Sequence, residues 1–353
     1  MKLEITSTLT LATTPLGLAI RPDGSRLFAA GMDGGIYEVD PAGHDPVRFA
    51  DSHDSYASGC ALLPDGRTLI SAGYDGQLLW HDTSRRTAFR RVQAHHFWSW
   101  QMALSPDGRL VASVTGQYLA GGEKYEPAPA TEPTVRVFDS LTGTPLHTFD
   151  LTPPVLSTAF SPDGRHLAAA NMMGEVQIWD LAENRLAARF ATPDFTSWGI
   201  IKSPHYCGGI YALAFSPDGD SLLCGGMGPM ADPMAGNGKQ TWQQWLWRAT
   251  PPAMASQIRD GDRGTGLMET FAHTPDTRAF LMAGRQAQGS WNAALFNAAD
   301  GSLLASLDTQ SRVTQARFSA NGQTLFLAAT SGQPQRENGV WRPYGKIHIV
   351  RVT

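Results

Sequence analysis

The stretch "SGCALLPDGRTLISAG" (residues 58–73) decides the fold of this 353-residue chain. Two apolar segments flank a Pro-Asp-Gly turn. Proline presets φ at the first central position of such a turn, aspartate hydrogen-bonds the backbone that follows it, and glycine adopts positive φ without strain. The stretch therefore predicts a β-hairpin.

The same hairpin pattern recurs along the chain in seven copies. Complete copies occupy residues 16–31, 58–73, 100–115, 156–171 and 211–226, and altered copies occupy residues 268–284 and 314–330. A third strand such as "VQIWD" (176–180) follows each hairpin, and a weaker fourth strand such as "RLAARF" (185–190) follows that. Four antiparallel strands repeated seven times predict an all-β fold, a seven-bladed β-propeller.

The two ends of the chain complement each other in this interpretation. The seventh copy stops after its third strand, whereas "KLEITSTLTL" (2–11) precedes the first copy and has strand-like alternation. We expect residues 2–11 to form the outer strand of the seventh blade, so that the ring is closed and has no open edge between its first and last blades. One domain then covers residues 1–353, with blades at about 15–50, 56–94, 98–151, 155–194, 209–258, 266–310 and 313–353.

At this level the chain resembles the WD-repeat family. The resemblance rests on Trp179-Asp180, on the Pro-Asp-Gly hairpins, and on Asp33-Gly34 and Asp75-Gly76 before third strands. His53 and His95 each stand eleven residues before the turn proline of their repeat, as the loop histidine of that family does. The chain departs from the family pattern where Arg248, Asn297 and Arg351 replace the terminal aspartate of the last three repeats.

The resemblance implies structural roles for the matching residues. His53, Ser71 and Asp75 match the hydrogen-bonded set that stabilises a blade, with His81 in place of the usual tryptophan. The same kind of role is expected for His95, although its repeat lacks the matching aspartate, and for Trp179 and Asp180.

Composition limits the classes of partner and the compartment. A formal net charge of −4 gives no electrostatic reason to expect nucleic acid or an anionic membrane as partner. The three cysteines lack metal-ligand spacing, and no apolar run at the N-terminus resembles a signal peptide. We expect a cytoplasmic protein in which Cys60 and Cys224 are buried, reduced thiols.

The sequence predicts no catalytic residue, no metal and no cofactor. Glu269 is the only carboxylate in the predicted first strands, whereas a metal or acid–base site needs several convergent groups. Met227, Met230 and Met234 raise the possibility of a copper(I) site, but interleaved prolines and the lack of a nearby histidine or cysteine pair argue against it.

Five long connections fall on one predicted rim of the ring, at residues 115–133, 192–209, 225–241, 283–290 and 330–345. Loops of this length are uncommon unless they are functional or disordered. With their flanks they are rich in aromatic residues and methionine, which are enriched in binding surfaces. The predicted partner-binding residues are Trp98, Tyr118, Tyr125, Phe195, Trp198, Tyr206, Met227, Met230, Trp242, Trp291, Trp341 and Tyr344.

The favoured function is therefore a non-enzymatic scaffold that binds another protein or a peptide, with Trp198, Trp242 and Trp341 as anchors. Two alternatives stay open at this point. The aromatic rings could simply pack the loops, or the same rim could carry an enzyme or small-ligand site over the central channel.

Overall fold

The structure, a computed structural model, describes residues 1–119, 126–127, 129–199, 205–230, 237–258, 264–332, 336–337, 340–341 and 343–353. Side chains at 119, 126–127, 198–199, 205–206, 336–337 and 340–341 lie outside this description. The protein is all-β: within these ranges the one helix is a single 3₁₀ turn, Pro193–Phe195. No helix in the described ranges has the length to cross a membrane.

Apart from short pairs, the described strands are assigned to seven antiparallel groups of four, named A to G, and the pairing of Gly238 with Gly266 joins groups E and F in one larger sheet. Group A contains Pro15–Ile20, Leu27–Gly31, Ile36–Val39 and Val47–Arg48; B contains Ala57–Leu62, Thr68–Gly73, Gln77–Asp82 and Thr87–Gln93; C contains Gln101–Leu104, Leu110–Val114, Val135–Asp139 and Pro145–Phe149; D contains Val155–Phe160, His166–Asn171, Glu175–Asp180 and Arg185–Ala191. Group E contains His205–Phe215, Leu222–Met227, Gly238–Leu246 and Ala253–Gln257; F contains Thr265–His273, Ala279–Gln288, Ala293–Asn297 and Leu303–Leu307; G contains Arg312–Phe318, Thr324–Thr330, Gly345–Val352 and Leu3–Leu11. Short pairs add Tyr118–Leu119 with Glu126–Pro127, Arg336–Glu337 with Val340–Trp341, and Thr196–Gly199 with the start of His205–Phe215.

The chain divides into two compact units. The first consists of residues 1–93, 269–286 and 290–353 and holds groups A, B and G with most of F. The second consists of residues 94–268 and 287–289 and holds groups C, D and E. Each unit has its own apolar cores between neighbouring groups, such as the cluster of Leu18, Leu27 and Phe326 in the first and that of Val135, Leu167 and Trp179 in the second.

The Pro-Asp-Gly turns form as their chemistry predicts. In group B, Asp65 Oδ1 accepts hydrogen bonds from the amides of Arg67 and Thr68, at 2.8 Å each. Gly66 has φ +65° and donates its amide to the carbonyl of Leu63. These contacts join the first two strands of the group in the predicted register.

The N-terminal strand is the outer strand of group G. It runs antiparallel to Gly345–Val352, with Leu3 opposite Val352 and Leu11 opposite Gly345. Leu3 and Leu11 are buried, so the apolar positions of the alternation face a core. The pairing expected for residues 2–11 is therefore present.

Three of the predicted long connections are shorter than expected, because strands extend into them. Leu222–Met227 and Gly238–Leu246 continue their pairing as far as Met227 opposite Gln240, within the stretch 225–241. Ala279–Gln288 runs through most of 283–290, and Thr196–Gly199 pairs within 192–209. Glycine-rich composition did not end these strands, since the ladder hydrogen bonds of a neighbouring strand satisfy their backbone.

The cysteines follow the expectation. Cys60 lies in the first strand of group B and Cys224 in the second strand of group E, and both are buried free thiols. Cys207 is partly buried and also free.

Candidate functional site

In group B the structure brings His53, Ser71 and Asp75 together. His53 Nδ1 lies 3.0 Å from Asp75 Oδ1, and His53 Nε2 lies 2.8 Å from Ser71 Oγ. Ser71 Oγ also lies 2.9 Å from His81 Nε2. His81 stands opposite Leu69, in the register position that Trp179 holds opposite Leu167 in group D. We call this set the His53 network.

The electrostatics of the His53 network indicate a stabilising role. Burial alone would raise the pKa of Asp75, but its interactions with His53 and the hydrogen bonds from the amides of Gln77 and Asp54 together outweigh burial and hold that pKa below its usual value. Burial lowers the pKa of His81 to about 3, so its imidazole is neutral at pH 7. The side chains of His53 and Ser71 are buried, so the network does not present a nucleophile or a base to a ligand.

In group C a similar arrangement surrounds His95, which we call the His95 network. His95 Nε2 lies 3.0 Å from Ser113 Oγ, and Ser113 Oγ lies 2.8 Å from Ser99 Oγ. The acid that the sequence lacked at the expected position is Glu132, whose Oε2 lies 3.8 Å from His95 Nδ1. Sequence reasoning missed Glu132 because the insertion moves it to the far end of the 115–133 connection.

Glu132 fixes the backbone beside His95. Its Oε1 accepts hydrogen bonds from the amides of His96 at 2.8 Å and Phe97 at 3.3 Å, and its Oε2 accepts one from Arg136 at 3.4 Å. Burial would raise the pKa of Glu132, but the nearby His95 imidazole, the hydrogen bond from the His96 amide and the charge of Arg136 lower it overall, so the carboxylate is charged. The turn at residues 96–97 is therefore held by a charge-assisted contact.

This turn carries an aromatic cluster. The rings of Phe97 and Trp98 stack with centroids 4.9 Å apart, and Trp98 meets Trp100 edge-on at 5.3 Å. The Trp98 carbonyl accepts the Thr115 hydroxyl at 2.8 Å, and Trp100 Nε1 donates to the Gly116 carbonyl at 2.9 Å. Trp98 itself is 40% exposed, so a large ring stays in solvent on a backbone that is tied down.

A small cleft adjoins the cluster. Its volume is about 80 Å³, and its lining combines one ring, prolines and short polar side chains: Phe97, Thr115, Gly116, Gln117, Pro129, Ala130, Thr131, Glu132, Thr134 and Pro153. The aromatic cluster of Phe97, Trp98 and Trp100 together with this cleft is called the Trp98 surface below. It lies entirely in the second unit.

Four predicted binding residues are corrected by the structure, because their side chains are buried. Phe195 packs in the core between groups D and E, and Trp242 stands opposite Gly225 within the strand pairing of group E. Met227 ends a buried strand, and Trp291 lies edge-on to Phe296. Trp242 therefore does not act as the exposed anchor that its place in a predicted loop had suggested.

The other predicted binding residues are partly exposed or incompletely described. Tyr118, Met230 and Tyr344 are partly exposed, and Met230 Sδ lies 3.9 Å from Cys207 Sγ. Tyr125 and Met234 lie outside the described residues. For Trp198, Tyr206 and Trp341 the structure gives the backbone alone, so their roles stay predictions.

Trp179 and Asp180, for which the sequence predicted structural roles, both contact neighbouring side chains. Trp179 stacks on Phe149 at 4.8 Å, and Asp180 Oδ2 lies 3.9 Å from His166 Nε2. Glu269, the lone first-strand carboxylate, is bonded to Arg312 at 2.7 and 2.8 Å.

Sequence reasoning also missed aromatic residues next to first strands. Tyr56 and Tyr74 pair at 5.4 Å in group B, with Tyr56 exposed, while Phe97 and Trp100 support Trp98 in group C. The available signal was their place just before a first strand or just after a second strand.

Comparison with known proteins gives a family but no close relative. The family model described as WD domain, G-beta repeat matches residues 44–82, 143–180 and 199–228. The search of curated proteins found no match. The matched segments cover parts of groups A, B, C, D and E, including the Trp179-Asp180 pair. The family model thus finds WD40 repeats at three places in the chain, which supports the resemblance to the WD-repeat family.

Proposed function

We propose that this protein is a non-enzymatic scaffold that binds another protein or a peptide through the Trp98 surface. WD40 repeats generally mediate protein interactions, which supports this class of function. The observation that carries the proposal is Trp98, exposed on a fixed backbone beside the cleft.

The physical argument is preorganisation. Glu132 and Thr115 hold the backbone on both sides of the ring, so little conformational freedom remains to be lost on binding. Tryptophan is the residue type most enriched among residues that dominate binding energy. A partner side chain can then enter the cleft while its backbone lies along the ring of Trp98.

The size of the cleft favours a peptide side chain over a small-molecule substrate. Pockets for drug-sized ligands usually have volumes of about 300–1,000 Å³. The cleft, at about 80 Å³, has room for one side chain.

We also infer that the seven groups are the blades of one ring, closed by the pairing of residues 3–11 with the last strand. The pairing removes a free edge from group G and ties the two termini together. Deleting residues 1–12 tests closure: it uncovers the edge of Gly345–Val352 and should lower the melting temperature strongly, and an unchanged melting temperature contradicts it.

Binding is tested with peptides selected against the intact protein from a random displayed library. Trp98→Ala should weaken the selected peptides by about 30-fold or more if the ring contributes about 2 kcal/mol. Phe89→Ala is the matched control, since Phe89 is an exposed ring on the outer strand of group B, and it should leave the affinity unchanged. A second control replaces Arg85 and Arg86. Equal losses in Trp98→Ala and Phe89→Ala, or a loss confined to the arginine variant, would overturn the assignment of the surface.

A further inference from the structure

One position of the hairpin is nearly constant across the seven groups. Three residues before the first residue of each turn, six groups carry alanine and group G carries Arg317. The alanines are Ala19, Ala61, Ala103, Ala159, Ala214 and Ala272. A position that otherwise takes a methyl group holds the bulkiest cationic side chain in one copy only.

The neighbours of Arg317 do not explain it as part of an ion pair. It lies in Arg312–Phe318, an end strand of its sheet, opposite Phe326. Its Nη1 donates to the Gln315 side chain at 3.2 Å and to the Ala316 carbonyl at 2.9 Å, both on the same strand. Among the described residues no carboxylate pairs with it.

Another arginine of the same strand shows the usual arrangement. Arg312 donates from two nitrogens to the two oxygens of Glu269, at 2.7 and 2.8 Å. This two-pronged geometry is what a guanidinium provides for a carboxylate. Arg317 has the same fork without an acid in the described part of the chain.

No described residue cancels the charge of Arg317. Burial lowers the pKa of the guanidinium, yet arginine does not lose its proton in proteins. Among the described residues the group that opposes this effect is the Cys60 thiol, and burial raises the pKa of that thiol to about 12, so it is neutral at pH 7. A partly buried charge without a counter-charge is costly, and an anion from outside the chain would relieve that cost.

A second cation directly follows the neighbouring first strand of the same unit. Arg21 follows Pro15–Ile20, which packs beside Arg312–Phe318. Arg21 Nε is buried and has no hydrogen-bond partner among the described residues, although Asp23 in the adjacent turn senses its charge. The guanidinium of Arg21 lies over the Phe28 ring at 6.0 Å, so this cation is packed against an aromatic face.

We propose that Arg317 forms a carboxylate-binding site on the first strand of group G and receives one carboxylate from outside the chain. The site is separate from the Trp98 surface, which belongs to the other unit. The guanidinium fork of Arg317 matches the two oxygens of a planar carboxylate, as Arg312 does with Glu269, whereas a phosphate usually draws several cations to one site.

Thermal unfolding of the full chain at pH 7 tests the site, with sodium chloride exchanged for sodium acetate at constant ionic strength. Acetate should raise the melting temperature of the native protein by about 2 °C or more, and it should not change that of Arg317→Ala. In chloride, Arg317→Ala should melt at the native temperature or above it, because the change restores the alanine of the other groups and removes an unpaired charge. Arg317→Lys keeps the charge without the fork and should show a smaller acetate effect.

The control is Arg85→Ala, an exposed arginine whose ion pair with Asp82 spans 3.9 Å, and it should keep the full acetate response. End-blocked peptides with one glutamate, compared with their glutamine counterparts, distinguish the source of the carboxylate. Stronger stabilisation by the glutamate peptide than by acetate assigns the site to a peptide side chain, and equal stabilisation assigns it to small carboxylates. The proposal is overturned if Arg317→Ala melts clearly below the native protein in chloride, if it keeps the acetate response, or if inorganic phosphate stabilises where acetate does not.

Discussion

Groups B and C each contain a histidine at the equivalent position, His53 and His95, but the acid beside that histidine comes from a different part of the chain in each group. Each histidine stands eleven residues before its turn proline, and each reaches a serine seven residues after that proline, Ser71 or Ser113. In group B the acid, Asp75, lies in the short turn after the second strand, whereas in group C it is Glu132, at the end of the 115–133 insertion.

The difference shows how an insertion can be accommodated without losing a structural network. The longer chain returns to the same histidine, and a longer acid restores a carboxylate near Nδ1. Asp75 accepts the backbone amides of Asp54 and Gln77 around a tight turn. Glu132 instead accepts the amides of the turn that carries Trp98. The structural acid of group C is therefore also the support of the candidate binding surface.

The largest expected effect comes from removing the acid of group B. Asp75→Ala leaves the buried His53 Nδ1 and two backbone amides without their acceptor, which should cost about 3 kcal/mol of unfolding free energy. Asp75→Asn keeps one acceptor oxygen and should cost less. Urea denaturation measures both variants. A loss below about 1 kcal/mol for Asp75→Ala would show that the network does not stabilise group B.

A second difference between the groups concerns protons. His81 stands opposite Leu69 in group B, and Phe138 takes the corresponding place opposite Val111 in group C. The folded pKa of His81 is about 3, below the value of about 6.5 expected in the unfolded chain. As pH falls from 6.5 towards 3, the imidazole is therefore protonated in the unfolded chain but stays neutral in the folded chain. The free energy of unfolding decreases over this pH range.

His81→Phe gives group B the residue of group C and should remove this dependence. Between pH 6.5 and 4.5 the native protein should lose about 2 kcal/mol more than the variant. Urea midpoints measured across this range provide the test. Parallel pH profiles for the two proteins would mean that the pKa of His81 is not lowered by folding.

The comparison also shows how far sequence reasoning reaches. The hairpins, the position of the N-terminal strand and the contacts of His53 follow from local turn chemistry and a fixed spacing, so they could be read from the chain. The role of Glu132 could not be predicted in this way. It stands 26 positions after Pro106, and a long insertion removes the fixed spacing on which such a prediction depends. Trp242 was misplaced for another reason: glycine and proline nearby suggested a loop, but strand pairing with Leu222–Met227 overrode them.

Glu132 should have two separable effects, unlike Asp75. Glu132→Gln removes the charge that holds the amides of His96 and Phe97, and it should cost about 1.5 kcal/mol of stability. It should also weaken a peptide selected on the Trp98 surface by about tenfold, because the turn becomes mobile before binding. Asp75→Asn is the matched control and should leave the affinity unchanged. Fluorescence titration of the labelled peptide measures the affinity of each variant. Equal affinities for both variants would show that Glu132 does not support binding at the Trp98 surface.

The smallest expected effect comes from shortening the acid of group C. Glu132→Asp withdraws the carboxylate by one methylene from amides that it now meets at 2.8 and 3.3 Å, so the turn must move or lose its hydrogen bonds. We expect a loss of about 1 kcal/mol, since the charge stays and Arg136 can follow it.

The reciprocal change, Asp75→Glu, meets a different constraint. The space beside Asp75 is so tight that a side-chain carbon on Gly73 would lie 2.4 Å from the His53 ring and 2.8 Å from Asp75 Oδ1, so an added methylene should cost at least as much. If Glu132→Asp is neutral in both urea denaturation and peptide affinity, side-chain length does not matter in group C, and the longer acid is not what compensates for the insertion.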